Sequence, residues 1–251
     1  MRIIAVTAGK GGVGKTTLTA NLGVALCQLG FRVCVIDANF TAPDLAIHFG
    51  FSPETTIWEV LKGKEGLDNA LYEHACGVHI IPGSQDMEVA TNRETYKRLK
   101  RKMRKLKYDF VILDTPPGLG EDARAALIPA KEVLVVATPE WTSLANAYRA
   151  MLFAQQMNKQ VLGMVLNRAS AHELEPNPMM VEHVIGTQVL ATIPEDIHVR
   201  KSVSLQNPVC LAYPNSESAR QFRKVAHYLG GLPWHEKLPW WQRLFTFVGK
   251  V

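Results

Sequence analysis

The stretch that decides the fold is Gly9-Lys10-Gly11-Gly12-Val13-Gly14-Lys15-Thr16-Thr17. It matches the pattern GxxxxGK(S/T) and lies between an apolar run typical of a strand and a segment typical of a helix. Glycines let the backbone turn its N–H groups towards phosphate oxygens, and the following helix directs its positive end at the same anion. The stretch therefore predicts a phosphate-binding loop, in which Lys15 contacts the β- and γ-phosphates and Thr16 offers its hydroxyl to Mg²⁺.

Apolar runs and longer helical segments alternate along the chain on both sides of this loop. The apolar runs predict strands at 3–7, 32–37, 78–82, 110–114, 133–138 and 161–167. The remaining periodic segments predict helices at 15–29, 93–106, 121–129, 141–157 and 216–229. The strand runs are continuously apolar, which favours strands covered by helices on both faces. The pattern predicts an α/β fold with a doubly wound, mostly parallel sheet, as in P-loop NTPases.

The composition fits a folded protein in a reducing compartment. With 251 residues and 47% hydrophobic side chains, the chain can bury the core of one α/β domain, or of two small ones, which excludes disorder. The sequence has no apolar run of about 18 residues that could span a membrane, and Gly and Lys interrupt its apolar start too early for a secretory signal. The four cysteines form no CxxC pair, which argues for reduced core thiols in a cytosolic protein.

Lys10 makes the loop more specific, because an ordinary phosphate loop needs no lysine there. The segment KGGVGKTT resembles the deviant Walker A signature of the MinD/ParA ATPases. The resemblance implies an ATPase that uses ATP and Mg²⁺ and forms an ATP-dependent homodimer. It also implies that Lys10 reaches phosphate on the partner subunit's nucleotide, where a cation stabilises the charge that develops during phosphoryl transfer.

Later motifs extend the resemblance over most of the chain. Asp114-Thr115-Pro116-Pro117-Gly118 follows a hydrophobic strand, where the family carries its Walker B aspartate and switch II, so Asp114 is expected to hold Mg²⁺ through water. Asn167-Arg168 match the adenine-contacting pair, and Ile193-Pro194-Glu195-Asp196 match the loop that closes over the base. Helix 141–157 lies near the family's partner-binding and dimer surface. The nucleotide-binding set implied by the resemblance is Gly11, Gly12, Val13, Gly14, Lys15, Thr16, Thr17, Asn167, Arg168, Pro194, Glu195 and Asp196.

The second strand departs from the family pattern. Relatives usually show Asp-x-Asp, whereas this chain has Asp37-Ala38-Asn39. The resemblance places Asn39 opposite the attacking water in switch I, so the catalytic set is Lys10, Lys15, Asn39 and Asp114. An asparagine can orient water but cannot accept its proton. Hydrolysis is then slow, or another group such as Asp44 fills the role, or Asn39 is an engineered trapping substitution, or it serves nearly as well by positioning. Asp37 would support the Mg²⁺ shell or the phosphate loop.

The segment 232–251 is expected to be a tail that follows a domain of residues 1–231, because Gly230-Gly231-Leu232-Pro233 interrupts the pattern. Pro239 suits a helix start and Gly249 a helix end. One side of this helix would carry Trp240, Trp241, Leu244, Phe245 and Val248. Such a basic-aromatic amphipathic helix suits a membrane interface and resembles the membrane-targeting helix of MinD proteins. The alternative is a helix docked on its own domain or on a partner.

A second feature is the run 97–107, which holds eight Lys or Arg residues and no acid. Without those eight charges, the net charge of +5 becomes −3, so the positive charge belongs to one element. Tyr96, Leu99, Met103 and Leu106 recur at helical spacing and predict a buried stripe beneath it. The run is either a solvated helix face or an anion-binding patch for acidic lipid or nucleic acid.

Two functions follow from these features. The first is a MinD-like ATPase that dimerises with ATP and lies peripherally on the acidic inner face of the cell membrane. There it would position or recruit a regulator or cargo protein in cell division or another spatial process. The second is a ParA-like ATPase that binds DNA non-specifically through the run 97–107. A metal-cluster carrier of the same fold is disfavoured because the chain lacks a CxxC pair.

Overall fold

The structure is a computed structural model that describes residues 1–84, 93–170 and 175–235. The strands are β1 Arg2–Thr7, β2 Val33–Asp37, β3 Tyr72–Glu73, β4 His79–Ile81, β5 Phe110–Asp114, β6 Glu132–Ala137, β7 Gln160–Ala169 and β8 Val189–Pro194. The helices are α1 Lys15–Gln28, α2 Leu45–His48, α3 Ile57–Lys62, α4 Arg93–Met103, α5 Glu121–Ala126, α6 Trp141–Gln156, α7 Pro178–Ile185, α8 Ile197–Ser204, α9 Val209–Ala212 and α10 Glu217–Gly230. The predicted membrane helix with Trp240, Trp241, Leu244, Phe245 and Val248 lies outside the described residues.

The strands form one sheet in the order β3-β4-β2-β5-β1-β6-β7-β8. All neighbouring pairs are parallel except β3 with β4, which form an antiparallel hairpin at the edge. Every residue of β2 and β5 is buried, because helices cover both faces of the sheet. This confirms the predicted doubly wound, mostly parallel architecture. The chain runs outward from β1 in both directions, so the carboxyl ends of the central strands border a crevice suited to a ligand.

Two apolar cores hold the helices against the sheet. One core contains Tyr96, Leu99 and Met103 of α4 together with Leu144 of α6. The other core lies across the sheet, where α1 packs against α10 and buries residues such as Phe222. The two layers fix the ends of α1 and α6 relative to the central strands, and this places the phosphate loop.

All six predicted strands and all five predicted helices are present, with ends that shift by up to three residues. Helix α4 ends at Met103, whereas the pattern predicts that it continues to 106. Leu106 therefore lies in the turn after α4, although it still packs partly against the same core. The sequence pattern does not predict β3, β8 and the helices α2, α3, α7, α8 and α9. These elements span two to eight residues, too few to show a clear period.

We expect Leu99→Ala to lower the free energy of unfolding by about 2–5 kcal/mol, because the fully buried Leu99 would leave a cavity beneath α4. Urea unfolding would measure the loss. Arg98→Ala is the matched control on the exposed side of the same helix, and we expect it to change stability by at most about 0.5 kcal/mol. Equal losses in both variants would contradict the buried stripe.

Candidate active site

The phosphate loop follows β1 and closes at the first residue of α1. Gly12 and Gly14 have φ angles of +75° and +94°, a left-handed backbone that favours glycine. A Cβ on Gly14 would lie 2.2 Å from Nδ2 of Asn167, and one on Gly9 would lie 2.1 Å from the backbone oxygen of Asn146. The loop therefore needs glycine both for its turns and for its close contacts with β7 and α6.

The amino end of α1 is prepared for an anion. No side chain caps this end, and its first turn carries no acidic residue, so its N–H groups face the loop unneutralised. Lys15 is buried beside them, and burial lowers the pKa of its ammonium, although Asp114 and Asp44 oppose the shift. A phosphate group would supply the negative charge that this desolvated ammonium lacks.

Thr16 and Asp114 form a pair of hard oxygen ligands at the end of β5. The Thr16 hydroxyl donates to Oδ2 of Asp114 at 2.5 Å. The other carboxyl oxygen, Oδ1, is buried and has no hydrogen-bond partner among the described residues. Burial raises the pKa of Asp114 to about 7, against the opposing effects of the Thr16 hydrogen bond and the Lys15 charge. A buried, unpartnered carboxyl oxygen beside a hydroxyl fits Mg²⁺, which would restore the ionised form.

Asp37 organises the switch segment at residues 38–45. Its Oδ1 accepts the N–H of Asn39 and its Oδ2 accepts the N–H of Leu45, both at 3.1 Å. Burial raises the pKa of Asp37 well above its usual range, and the nearby Asp114 adds to the shift. Both oxygens thus accept hydrogen bonds from the backbone of the switch segment, and a role of Asp37 in the Mg²⁺ shell or at the phosphate loop stays a prediction.

The Asn39 amide is bound within the switch segment. Nδ2 donates to the carbonyl of Ala42 at 2.7 Å, and the N–H of Ala42 donates to Oδ1 at 3.4 Å. In this conformation the amide is committed to its own loop, and an attacking water would compete with these bonds. Asp44 is exposed, and its charge acts on Lys15 and Asp114 across the site.

Lys10 stands at the rim of the phosphate loop. Its ammonium lies 3.5 Å from the carboxylate of Glu140, the residue just before α6, and both side chains are more than half exposed. Exposed ion pairs of this kind contribute about 0–1 kcal/mol, so the lysine can readily exchange this partner for another anion.

Switch II is joined to the phosphate loop by its backbone. The N–H of Gly118 donates to the carbonyl of Ala8 at 3.1 Å, and Gly118 has a φ of +90°. Thr115 donates its hydroxyl to the carbonyl of Val6 at 2.8 Å. A change in the position of switch II would therefore shift the residues that lead into the phosphate loop.

A cavity of about 270 Å³ opens beside the loop at the carboxyl ends of β7 and β8. Asn167 fixes its floor, because Nδ2 donates to the carbonyl of Val13 at 2.7 Å. The cavity brings together the predicted base-contacting residues and two residues of the loop and α1. Its lining includes Gly14, Thr17, Asn167, Arg168, Pro194, Glu195 and Asp196.

The α8 side of this cavity was not predicted from the sequence. Val199, Arg200 and Val203 line it from the helix that Asp196 caps by accepting the N–H of His198 at 2.8 Å. Arg200 pairs with Glu195 at 2.5 Å. This wall could have been predicted from the two valines, which lie four residues apart after the Pro194-Glu195-Asp196 motif. An apolar wall with charged groups at its edge suits a purine base.

Comparison with known proteins shows which family the chain resembles. A family model described as ParA, NUBPL iron-transfer P-loop NTPase, matches residues 1–229. The septum site-determining protein MinD of Thermotoga maritima is 33% identical over 244 residues, which cover 91% of this chain and 88% of that protein.

Two solved structures show the same fold. MinD of Pyrococcus horikoshii, complexed with Mg-ADP, is 32% identical with a TM-score of 0.86, and the match covers 91% of this chain and 95% of that one. The MinC:MinD cell division complex of Aquifex aeolicus is 25% identical with a TM-score of 0.84, covering 95% and 99%. The chain therefore belongs to the MinD/ParA family of P-loop ATPases, which use ATP and Mg²⁺.

Proposed function

We propose that this ATPase is a MinD-like switch that dimerises when it binds ATP and then associates peripherally with the acidic inner face of the cell membrane. The observation that carries the proposal is the position of Lys10, which is exposed at the rim of the phosphate loop and held by one weak ion pair. A second subunit that offers a nucleotide phosphate would draw the lysine across the interface. Dimerisation would then depend on ATP because the phosphate supplies the anion.

The tail, residues 232–251, would convert dimerisation into membrane residence. Each large apolar side chain contributes roughly 1.5–3 kcal/mol when fully buried, and interfacial burial is partial. Ordering the helix costs about 1 kcal/mol or more per residue, so one tail binds weakly. Two tails in one dimer gain about 10²- to 10⁴-fold in avidity. In the described part of the chain, no helix is both long and apolar enough to cross a bilayer.

A partner protein would bind the exposed side of α6. Trp141, Tyr148 and Leu152 are exposed there and follow the spacing of one helical face. The Aquifex aeolicus relative is named as a complex with a second cell division protein, MinC. By analogy, α6 is the surface through which this switch would recruit a regulator or cargo for spatial positioning.

Lys10→Ala should leave ATP binding by the single chain nearly unchanged and abolish ATP-dependent dimerisation, because it removes only the cation that acts across the interface. Sedimentation velocity with a non-hydrolysable ATP analogue would measure the dimer. Glu140→Ala is the control, since it frees Lys10 and should preserve the dimer, whereas Lys15→Ala should abolish ATP binding itself. A Lys10→Ala chain that dimerises normally would rule out the role in trans.

Asn39→Asp should raise phosphate release by roughly 10²-fold, because it adds a proton acceptor and breaks the bond to the Ala42 carbonyl. Asn39→Ala breaks the same bond without adding a carboxylate and should not accelerate hydrolysis. If both variants accelerate hydrolysis equally, the hydrogen bond that closes the switch segment is what slows hydrolysis. The missing carboxylate is then not the cause.

Trp240→Asp combined with Phe245→Asp should abolish ATP-dependent pelleting with vesicles of phosphatidylcholine and phosphatidylglycerol, because both side chains lie on the predicted lipid-facing side. Gln242→Asp combined with Thr246→Asp adds the same charge on the opposite side and should retain binding. Pelleting with ADP should be weak for all proteins. If the wild-type chain does not pellet with ATP, the membrane part of the proposal fails.

A further inference from the structure

The basic run 97–107 remains largely unneutralised after folding. Leu99 and Met103 are buried, Leu106 is half-buried, and the charged members of the run are exposed or half-buried. Lys97 and Arg101 pair with Glu94, at 3.7 and 3.3 Å. Among the residues that the structure describes, the other basic members of the run form no ion pair. These members are Arg98, Lys100, Lys102, Arg104, Lys105 and Lys107.

Lys159 adds to the positive potential of this surface. Its ammonium donates to the carbonyls of Ala130 and Ile128, at 2.6 and 3.4 Å. Burial lowers the pKa of Lys159, and the nearby charge of Lys100 lowers it further. Two cations this close together favour the approach of an external anion.

The end of the basic run and the start of the tail reach the same edge of the sheet from its two opposite faces. Arg2 joins the two, because its backbone N–H donates to the carbonyl of Asp109 at 2.8 Å and its guanidinium donates to the carbonyl of Leu229. A second link passes through Phe31, whose ring centroid lies 5.0 Å from that of Phe110 and whose edge would lie 2.8 Å from a Cβ on Gly230. The turn at 104–107 and the start of the tail at 232 therefore both lie at this edge of the sheet.

This edge is distinct from the nucleotide site. It is formed by the amino ends of the parallel strands, whereas the phosphate loop and Asp114 lie at their carboxyl ends. Strands of five or six residues separate the two edges by roughly 17–20 Å. The end of the basic run, at residues 104–107, is therefore too far away to contribute to the phosphate loop.

We propose that Arg104, Lys105 and Lys107 form a second membrane contact, which binds the headgroups of acidic phospholipids at the surface that the tail enters. This inference rests on the proposed membrane association. A flat bilayer that lies across this edge can meet the basic turn and the start of the tail together, whereas a DNA duplex on the same turn would leave the aromatic tail without an apolar partner. Basic residues beside a weak apolar anchor raise its affinity for anionic bilayers.

The test is vesicle binding by the full chain that carries Arg104→Gln, Lys105→Gln and Lys107→Gln, in ATP and low salt. We expect affinity for vesicles of phosphatidylcholine and phosphatidylglycerol to fall about 10- to 100-fold, and its salt dependence to weaken. The matched control carries Arg149→Gln, Lys201→Gln and Lys224→Gln, which remove the same charge from α6, α8 and α10. It should bind within about twofold of wild type if position and not net charge governs binding. Thermal melting would check that both variants are folded.

The outcomes separate this inference from the proposed function. If the wild-type chain does not bind acidic vesicles, the proposed function fails and this inference falls with it. If the wild type binds and the triple variant at 104, 105 and 107 binds as well as the control, the second contact alone is overturned. It is also overturned if the triple variant keeps vesicle binding but loses binding to a DNA duplex, which would assign the run to nucleic acid.

Discussion

The rest of the structure depends on the burial of three ionisable side chains, Lys15, Asp37 and Asp114, where β1, β2 and β5 end. Parallel register places Asp114 beside both Val6 and Asp37, so two carboxyl groups meet in an apolar sheet. Burial raises the pKa of each carboxyl group and lowers that of Lys15. Polyphosphate and a divalent cation stabilise such a site most when they bind together. The phosphate then compensates the buried ammonium, and the cation compensates the buried carboxylates.

The base cavity and the phosphate loop form one unit. Asn167 binds the carbonyl of Val13 and lies where a side chain on Gly14 would have to go. The same residue therefore lines the cavity and holds the loop in place. A nucleotide that fills the cavity would stabilise the loop conformation that its own phosphates require.

The switch segment shows how a single departure from the family pattern acts through structure. Asp37 holds both ends of the segment, and the Asn39 amide closes it onto Ala42. An aspartate at position 39 could not donate to the Ala42 carbonyl, so Asn39 changes both the chemistry and the conformation of the loop. In this conformation, water would have to displace a protein hydrogen bond to reach the amide.

The sequence by itself determined the phosphate loop, the six main strands and the buried stripe of α4, and it predicted the roles of Lys15, Thr16 and Asp114. These features depend on contiguous residues, whose spacing and apolar continuity have one physical interpretation. Only the tertiary structure decided the α8 wall of the base cavity, the pairing of Lys10 with Glu140, and the contact of Arg2 with residues 109 and 229. Those contacts join segments far apart in sequence or depend on short elements that tertiary packing stabilises, so no local pattern encodes them.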